Sequence, residues 1–306
     1  MRGVTIRPEQ AGDDELIDGV VCAAFNEMDE ANLIRMMRQH YPAYDARYSL
    51  TAWEKDTLVG HMLMSPSRIR LMGQTVLALA VGPVAVLPDR QRRGIGEALM
   101  RHGHEIGKRD GFALTFLYGH PSYYPRFGYR SCFGLAKVAI DTDKLPQTTR
   151  KFIKSPVRRG DIPWLVERQN AEWQDVDFGW LWGTCLAEWT LPFVNAVIWH
   201  TEDGRRAAYT LGPAGRDRGF MLFGEDPQLA REVLFTIRPT LLRHHPDGWL
   251  VRNVLGPAWS APESTASPAA MACELKEGIL SPLLNALTRG ERRPGYAMFP
   301  LPFLSV

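Results

Sequence analysis

The stretch that most constrains this chain is residues 77–96, LALAVGPVAVLPDRQRRGIG. Its first half is apolar, rich in Val, Leu and Ala and bounded by turn residues, which is the pattern of a buried strand. After Gly94-Ile95-Gly96 a helical pattern begins at once, with Ala98, Leu99 and Met100 and then His102, Glu105 and Ile106. The junction is strand, loop, helix. A helix start leaves backbone N–H groups unpaired and carries the positive end of the helix dipole, so glycines that admit an anion there make a phosphate cradle. Arg90, Arg92 and Arg93 add mobile positive charge. Gly-x-Gly alone is a weak sign, because many helices start after a glycine for steric reasons only.

Composition narrows the setting. The chain has 306 residues, 45% hydrophobic and 23% charged, ordinary for a soluble globular protein of about two domains. Lys and Arg number 36 against 34 acids, a formal charge of +2, so no global field draws the chain to nucleic acid or membrane. Cys22, Cys132, Cys185 and Cys273 have no C-x-x-C or metal-like spacing and are expected as buried free thiols. His102 and His104, two apart on a helix, face different directions, and no metal is expected. Acids at Glu9, Asp13, Asp14, Glu15 and Asp18 do not suit a signal peptide, and no window approaches the roughly 18 apolar residues of a membrane helix. A cytoplasmic location follows.

Taken in order, residues 4–8 form a short strand ended by Pro8, and a helix follows from Asp13, with Asp13 or Asp14 available as a cap. Residues 32–39 form a second amphipathic helix. Residues 48–53 and 58–64 flank a polar turn as a hairpin, and a separate strand is expected around residues 68–71. After the Gly94–Gly96 helix, Asp110-Gly111 is a stop and residues 112–118 are an apolar strand. The order to this point is β-α-α-β-β-β-α-β, and a short helix at residues 123–127 and a last strand or pair from Tyr129 to about Ile140 follow it.

Gln91-Arg92-Arg93-Gly94-Ile95-Gly96 has the form Q/R-x-x-G-x-G/A after a strand, and Gly119-His120-Pro121-Ser122-Tyr123-Tyr124-Pro125-Arg126-Phe127-Gly128-Tyr129 stands downstream. Both resemble segments of the GNAT superfamily of N-acetyltransferases, over about residues 4–140, and the second is similar to a branch of predicted acetyltransferases. The resemblance implies an α/β (α+β) mixed-sheet acyl-CoA N-acyltransferase fold and acetyl-CoA as co-substrate, without a metal. It implies that the loop amides hold the pyrophosphate, so Gln91, Arg92, Arg93, Gly94, Ile95 and Gly96 are cofactor-binding candidates. Val84, Ala85 and Val86 join them, because in the family this strand splays from the next and its outward backbone holds the pantetheine arm. Gly82-Pro83 within the strand suggests a bulge, or simply a strand edge.

Residues 141–156 are polar and proline-containing and suit a linker between a domain of residues 1–145 and an α/β lobe of residues 157–306. The second half restarts as strand, turn, helix at residues 157–166, and residues 196–200 and 206–211 flank Asp203-Gly204 as a hairpin. A helical run over 227–243 leads to Asp247-Gly248 and an expected strand at 249–255, a counterpart of Asp110-Gly111 and its strand. This weak repeat points to tandem GNAT-like lobes, the second degenerate; an unrelated α+β domain is the alternative. Aligning the two Asp-Gly stops sets Arg231 and Val233 opposite Gly94 and Gly96, so the cradle is missing from the second copy. Six of nine tryptophans fall in residues 164–199 and read as core or lobe packing, or as an aromatic wall for an apolar or cationic substrate.

Moving an acetyl group from a thioester to an amine needs the reactants held together, a stabilised oxyanion and a proton for the leaving thiolate. Tyr124 stands four residues before Gly128 and matches the tyrosine of the family's F-Y-x-K-x-G-F pattern, so the resemblance implies a general acid there. Its phenol, of pKa about 10, is protonated at neutral pH; packing is the other reading for it and for Tyr123. No acid stands on the central strand, which leaves Glu27, after the first helix, and His120, past the second core strand, as candidate bases. The expected function is transfer of the acetyl group of acetyl-CoA directly to a primary amine of a small molecule, peptide or protein. A non-catalytic acyl-CoA-binding regulatory or protein-interaction protein is the alternative. Partners are acetyl-CoA and an amine-bearing small molecule or peptide, not nucleic acid or membrane, and an oligomer is left open.

Overall fold

The computed structural model describes residues 3–190, 194–213 and 220–297, so the outer ends of the expected segments 1–145 and 157–306 lie outside the described residues. The first half runs β1 (Val4–Pro8), α1 (Asp14–Phe25), α2 (Asp29–His40), β2 (Ser49–Glu54), β3 (Thr57–Leu71), β4 (Gln74–Val86), α3 (Ile95–Arg109), β5 (Leu114–Tyr118), β6 (Arg130–Ser131) and β7 (Gly134–Ile140). The second runs β8 (Phe152–Pro156), α4 (Ile162–Glu172), β9 (Phe178–Leu181), α5 (Leu186–Trp189), β10 (Val194–Thr201), β11 (Arg206–Pro213) and β12 (Met221–Phe223). It continues with α6 (Pro227–Ile237), β13 (Leu241–Leu242), α7 (Trp249–Asn253), β14 (Ser260–Ala266), β15 (Ala270–Glu274) and α8 (Ser281–Thr288).

Several sequence expectations are corrected. No separate strand exists at residues 68–71, because β3 runs unbroken through them. Asp13 does not cap α1: its carboxylate is taken by the Arg7 fork, at 2.6 and 3.0 Å, and by the Gln10 N–H. Residues 249–253 are helix rather than strand. A short apolar run does not distinguish the two by itself, and here the buried Glu172 carboxylate accepts the Leu250 N–H at 2.8 Å and settles the first turn. Cys185 is exposed rather than buried, and Cys22 is half-buried.

The chain divides into two compact units, neither of them continuous. The first holds residues 1–68, 76–131 and 268–282, and the second 69–75, 132–267 and 283–306. The expected linker at 141–156 is therefore no boundary, and β8 occupies its end. In the first unit the strand order is β1-β2-β3-β4-β5-β15-β6. β1 and β2 pair antiparallel, as do β2 and β3, while β4 and β5 pair parallel. β15 is antiparallel to β5 on one side and to β6 on the other. The second unit has an antiparallel sheet β12-β11-β10-β8 and a three-stranded sheet β13-β7-β14. The strand expected to close the first lobe, β7, thus belongs to the second unit, and β15, from late in the chain, takes its place.

The two units share a sequence of elements, in a different register from the one the Asp-Gly stops suggest. β8, α4, β10, β11, β12 and α6 follow the order of β1, α1, β2, β3, β4 and α3. A parallel bridge, Phe220 to Leu242, stands where β4 pairs with β5. β7 lies between β13 and β14 as β15 lies between β5 and β6. The counterpart of the Gly94–Gly96 junction is therefore the turn from β12 to α6, not Arg231 and Val233. There Asp226 caps the helix, accepting the N–H groups of Gln228 and Leu229 at 2.9 and 3.1 Å, and Pro227 has no N–H to offer.

Each unit has its own core. In the first, α3 lies against the sheet through Gly103 and Gly107, one helical turn apart. A Cβ on Gly103 would stand 2.5 Å from Met62 Cε, and one on Gly107 2.6 Å from Leu275 Cδ1, so glycine brings the helix close without displacing the ends of these side chains. Leu99 and Met100, Leu79, Leu117 and Met271 fill the interior. In the second unit five of the six clustered tryptophans are buried, and Trp182, Trp189, Tyr209 and Phe223 form a chain of aromatic contacts 5.0 to 6.0 Å apart. Trp164 is half-exposed, with its indole N–H on Glu225.

Candidate active site

β4 and β5 pair only from Ala78 to Ala80, against Leu114 to Phe116. Beyond Ala80, β4 continues six residues to Val86 while β5 ends at Tyr118. The two strands part, and among the described residues Val84, Ala85 and Val86 have no ladder partner on the β5 side. The Gly82-Pro83 peptide within this part of β4 is cis, with Gly82 at φ +152°.

The loop after β4 leads into α3 through Gly94, which takes φ +84° and stands at the N-cap with no side chain capping the helix. Among the described residues the N–H groups of Gly94, Ile95 and Gly96 have no hydrogen-bond partner. The contrast with the Asp226-capped α6 is direct: one helix start is filled by its own carboxylate and the other is open. Arg92 and Arg93 are exposed and make no ion pair among the described residues, whereas Arg90 is bound by Glu54 and Asp89 and is not the mobile charge its position in the loop suggests. Gln91 is also used locally, its side-chain amide donating to the Val86 carbonyl at 3.2 Å. Glu97, in the first turn, pairs with Arg101.

Past β5 the chain makes a single 3₁₀ turn, residues 124–127, ended by Gly128 at φ +90°. The His120 carbonyl accepts the N–H groups of Tyr123 and Tyr124, so His120 shapes this turn through its backbone while its side chain is exposed. The Tyr124 ring packs onto Gly119, where a Cβ would lie 2.2 Å from the ring. It meets the rings of Tyr123 and Tyr129 edge to face at 5.1 and 5.7 Å. Burial, with a smaller contribution from Tyr123, pushes the Tyr124 phenol up to about 12, so it is a neutral proton donor at physiological pH. Tyr123 reaches the other way: a Cβ on Gly96 would stand 2.6 Å from its hydroxyl oxygen and 3.9 Å from Val86 Cγ2. Sequence reading gave Tyr123 no role beyond packing and overlooked this reach; the only signal is its position next to Tyr124.

Glu27 lies in the exposed link between α1 and α2, beside Asp29 and Glu30. No hydrogen bond or ion pair among the described residues joins Glu27 or His120 to Tyr124. Two buried polar groups of histidines were not foreseen. Ser49 donates to Glu9, which Tyr44 and the Arg38 fork also hold, so Ser49 Oγ must accept the Nε2–H of fully buried His61 at 2.8 Å. Thr115 donates to Tyr129, whose hydroxyl meets His104 Nε2 at 3.2 Å. Burial lowers both histidines to about 4 and keeps them neutral. No cluster of metal-ligating side chains is found among the described residues, and no helix of the described residues is long and apolar enough to cross a membrane.

Residues 5–132 match the profile of the acetyltransferase (GNAT) domain family. The uncharacterized N-acetyltransferase YjhQ of Escherichia coli is 33% identical over 111 residues, 36% of this chain and 61% of that protein's own length. The crystal structure of a GCN5-related N-acetyltransferase from Kribbella flavida superposes with a TM-score of 0.70 at 14% identity, over 90% of this chain and 72% of that one. A probable N-acyltransferase from Enterococcus faecalis gives 0.65 at 16%, over 90% and 73%. These two likenesses cover both halves of the chain and concern the fold. Residues 5–132 of the chain are thus similar to the acetyltransferase (GNAT) domain family, and the match covers less than half of the chain.

Proposed function

We propose that the chain transfers the acetyl group of acetyl-CoA directly to a primary amine of a small molecule, peptide or protein. The observation that carries this reading is the open, glycine-entered N-terminus of α3 at the end of a strand that parts from β5 beyond Ala80. The site's shape fits the co-substrate. The free amides of Gly94, Ile95 and Gly96 with Arg92 and Arg93 suit the diphosphate, and the backbone of Val84, Ala85 and Val86 suits the pantetheine arm. Gly96 suits this position because a Cβ there would stand 2.6 Å from the Tyr123 hydroxyl oxygen.

In the transfer, the amine nitrogen forms a bond to the thioester carbonyl carbon and the carbon–sulfur bond breaks. The nitrogen gives up a proton, and the thiolate takes one from Tyr124, whose burial keeps the phenol protonated. Glu27 and His120 remain the proposed acceptors of the amine proton, acting through water, since both are exposed on loops. The second unit is proposed to be a degenerate copy of the same fold with no cofactor site of its own, because Asp226 and Pro227 close the equivalent helix start.

The test is a screen of amines against the full chain with acetyl-CoA, reading thiol release. With a confirmed acceptor, Tyr124→Phe is expected to lower turnover roughly 100-fold while CoA binding is kept, and Gly96→Trp to abolish CoA binding. An unchanged rate in Tyr124→Phe rejects the acid, and normal CoA binding in Gly96→Trp rejects the cradle. CoA binding without thiol release from any amine favours a non-catalytic acyl-CoA-binding protein.

A further inference from the structure

The proposed phosphate cradle has one wall in the first turn of α3. The segment after β5 comes to the same place from the opposite side. Tyr123 extends its hydroxyl to the Cα side of Gly96, in the first turn of α3. Behind its ring stands Arg126, with the guanidinium centre 4.0 Å from the Tyr123 ring centroid and 5.3 Å from that of Phe127. The Arg126 Nε donates to the Tyr123 carbonyl at 3.1 Å, which folds the side chain back over the tyrosine instead of into solvent. Arg126 is exposed, and no carboxylate among the described residues pairs with it. Its neighbours in the region differ: Arg90 and Arg101 are both neutralised by acids.

We propose that Tyr123 and Arg126 form the second wall of the phosphate site, the Tyr123 hydroxyl donating to the diphosphate held on the α3 amides and the Arg126 guanidinium pairing with its charge. This rests on the reading of the α3 start as the phosphate end of an acyl-CoA site. The chemistry is complementary. A diphosphate on three amides still has acceptor oxygens facing away from the helix, and those oxygens call for a hydroxyl donor and a cation on the β5 side. Stacking on Tyr123 pre-orders the arginine, so less rotamer freedom is lost when the anion arrives. The free cations on the two sides, Arg92 and Arg93 on one and Arg126 on the other, would then enclose the anion, whereas a cradle built on the loop alone leaves one face to water.

The experiment compares CoA with pantetheine, which has the same arm and no phosphate, as ligands of the full chain. Affinities are measured for the wild type, Tyr123→Phe, Arg126→Gln and Arg126→Lys, with thermal melts to check folding. Arg126→Gln is expected to weaken CoA roughly 10-fold and to flatten the salt dependence of its binding, with Arg126→Lys recovering part of the loss. Tyr123→Phe is expected to weaken CoA several-fold. Pantetheine affinity stays unchanged in all three. Wild-type CoA affinity in both Arg126→Gln and Tyr123→Phe overturns the proposal, and so does an equal loss for CoA and pantetheine, which would mean that the segment shapes the channel without touching phosphate. A wild-type chain that fails to bind CoA refutes the acyl-CoA reading itself, and this proposal with it.

Discussion

A protein ending at residue 145 would contain the whole family-matched segment, yet it is expected not to fold, because it lacks β15. That strand lies between β5 and β6, paired with β5 from Ala270 opposite Tyr118 to Glu274 opposite Leu114. Ala270, Met271, Ala272, Cys273 and the following Leu275 are all less than 10% exposed. At about 0.8 kcal/mol per methylene and 1.5 to 3 for a fully buried Met or Leu, their burial contributes about 6 kcal/mol, before counting ladder hydrogen bonds. A domain of this size has only about 5–15 kcal/mol of net stability. Removing β15 also leaves an unpaired edge on β5, a template for aggregation. Far-UV circular dichroism and a urea titration of the 1–145 protein are expected to show no cooperative transition, and adding a peptide of residues 268–282 to restore one. A cooperative two-state melt of 1–145 alone, with a midpoint near that of the full chain, would refute the assignment of β15 to the first unit.

Two further predictions concern stability. His244 Nε2 accepts the Leu222 N–H at 2.8 Å, so its proton is on Nδ1, where it donates to Glu172 at 2.9 Å; Glu172 also accepts from Leu250. Glu172→Ala therefore leaves two buried donors without an acceptor and is expected to cost about 3–5 kcal/mol in a denaturant titration, and a loss under 1 kcal/mol would rule out this clamp. The second concerns pH. His61 and His104 fall to about 4 in the folded chain against about 6.5 unfolded, so between those values the unfolded state binds more protons and stability drops as pH falls. From pH 7 to pH 5 each is expected to remove about 2 kcal/mol. The slope should shrink in His61→Phe and His104→Gln, and a stability that is flat between pH 7 and 5 would contradict the burial of both rings.

What the sequence made legible was local. The apolar stretch before Pro88, the Gly94–Gly96 helix start, the hairpin about residues 54–57 and the turn before Gly128 are set by neighbours within a few positions, and the structure has all of them. The failures share one cause, a distant partner that overrides local pattern. Arg90 looks free until Glu54 is brought beside it, and Trp249-Leu250-Val251 reads as strand until the Glu172 carboxylate takes the Leu250 N–H. The largest such failure is the exchange of β7 and β15. Both are short strands, β7 with alternate residues buried and β15 with four successive residues buried, and nothing in seven or five residues says which sheet they will join. The reach of Tyr123 to Gly96 was invisible for the same reason, being a contact across 27 positions of chain.

The two helix starts that follow β4 and β12 show how little separates a binding site from a structural turn. Both follow a strand of the same topological position, and both carry the unpaired amides and the dipole that any helix has. At α6, Asp226 supplies the anion from within the chain and Pro227 removes a donor, so the start is satisfied and stable as it stands. At α3, Gly94 and Gly96 supply neither a cap nor bulk, and the first amides are left open. A helix start left uncapped in a well-packed domain is a local defect in stability, and selection for a ligand that completes it is the simplest physical reason for the defect to persist. On that reasoning the start of α3 is open to a ligand, whereas the start of α6 is closed by its own carboxylate.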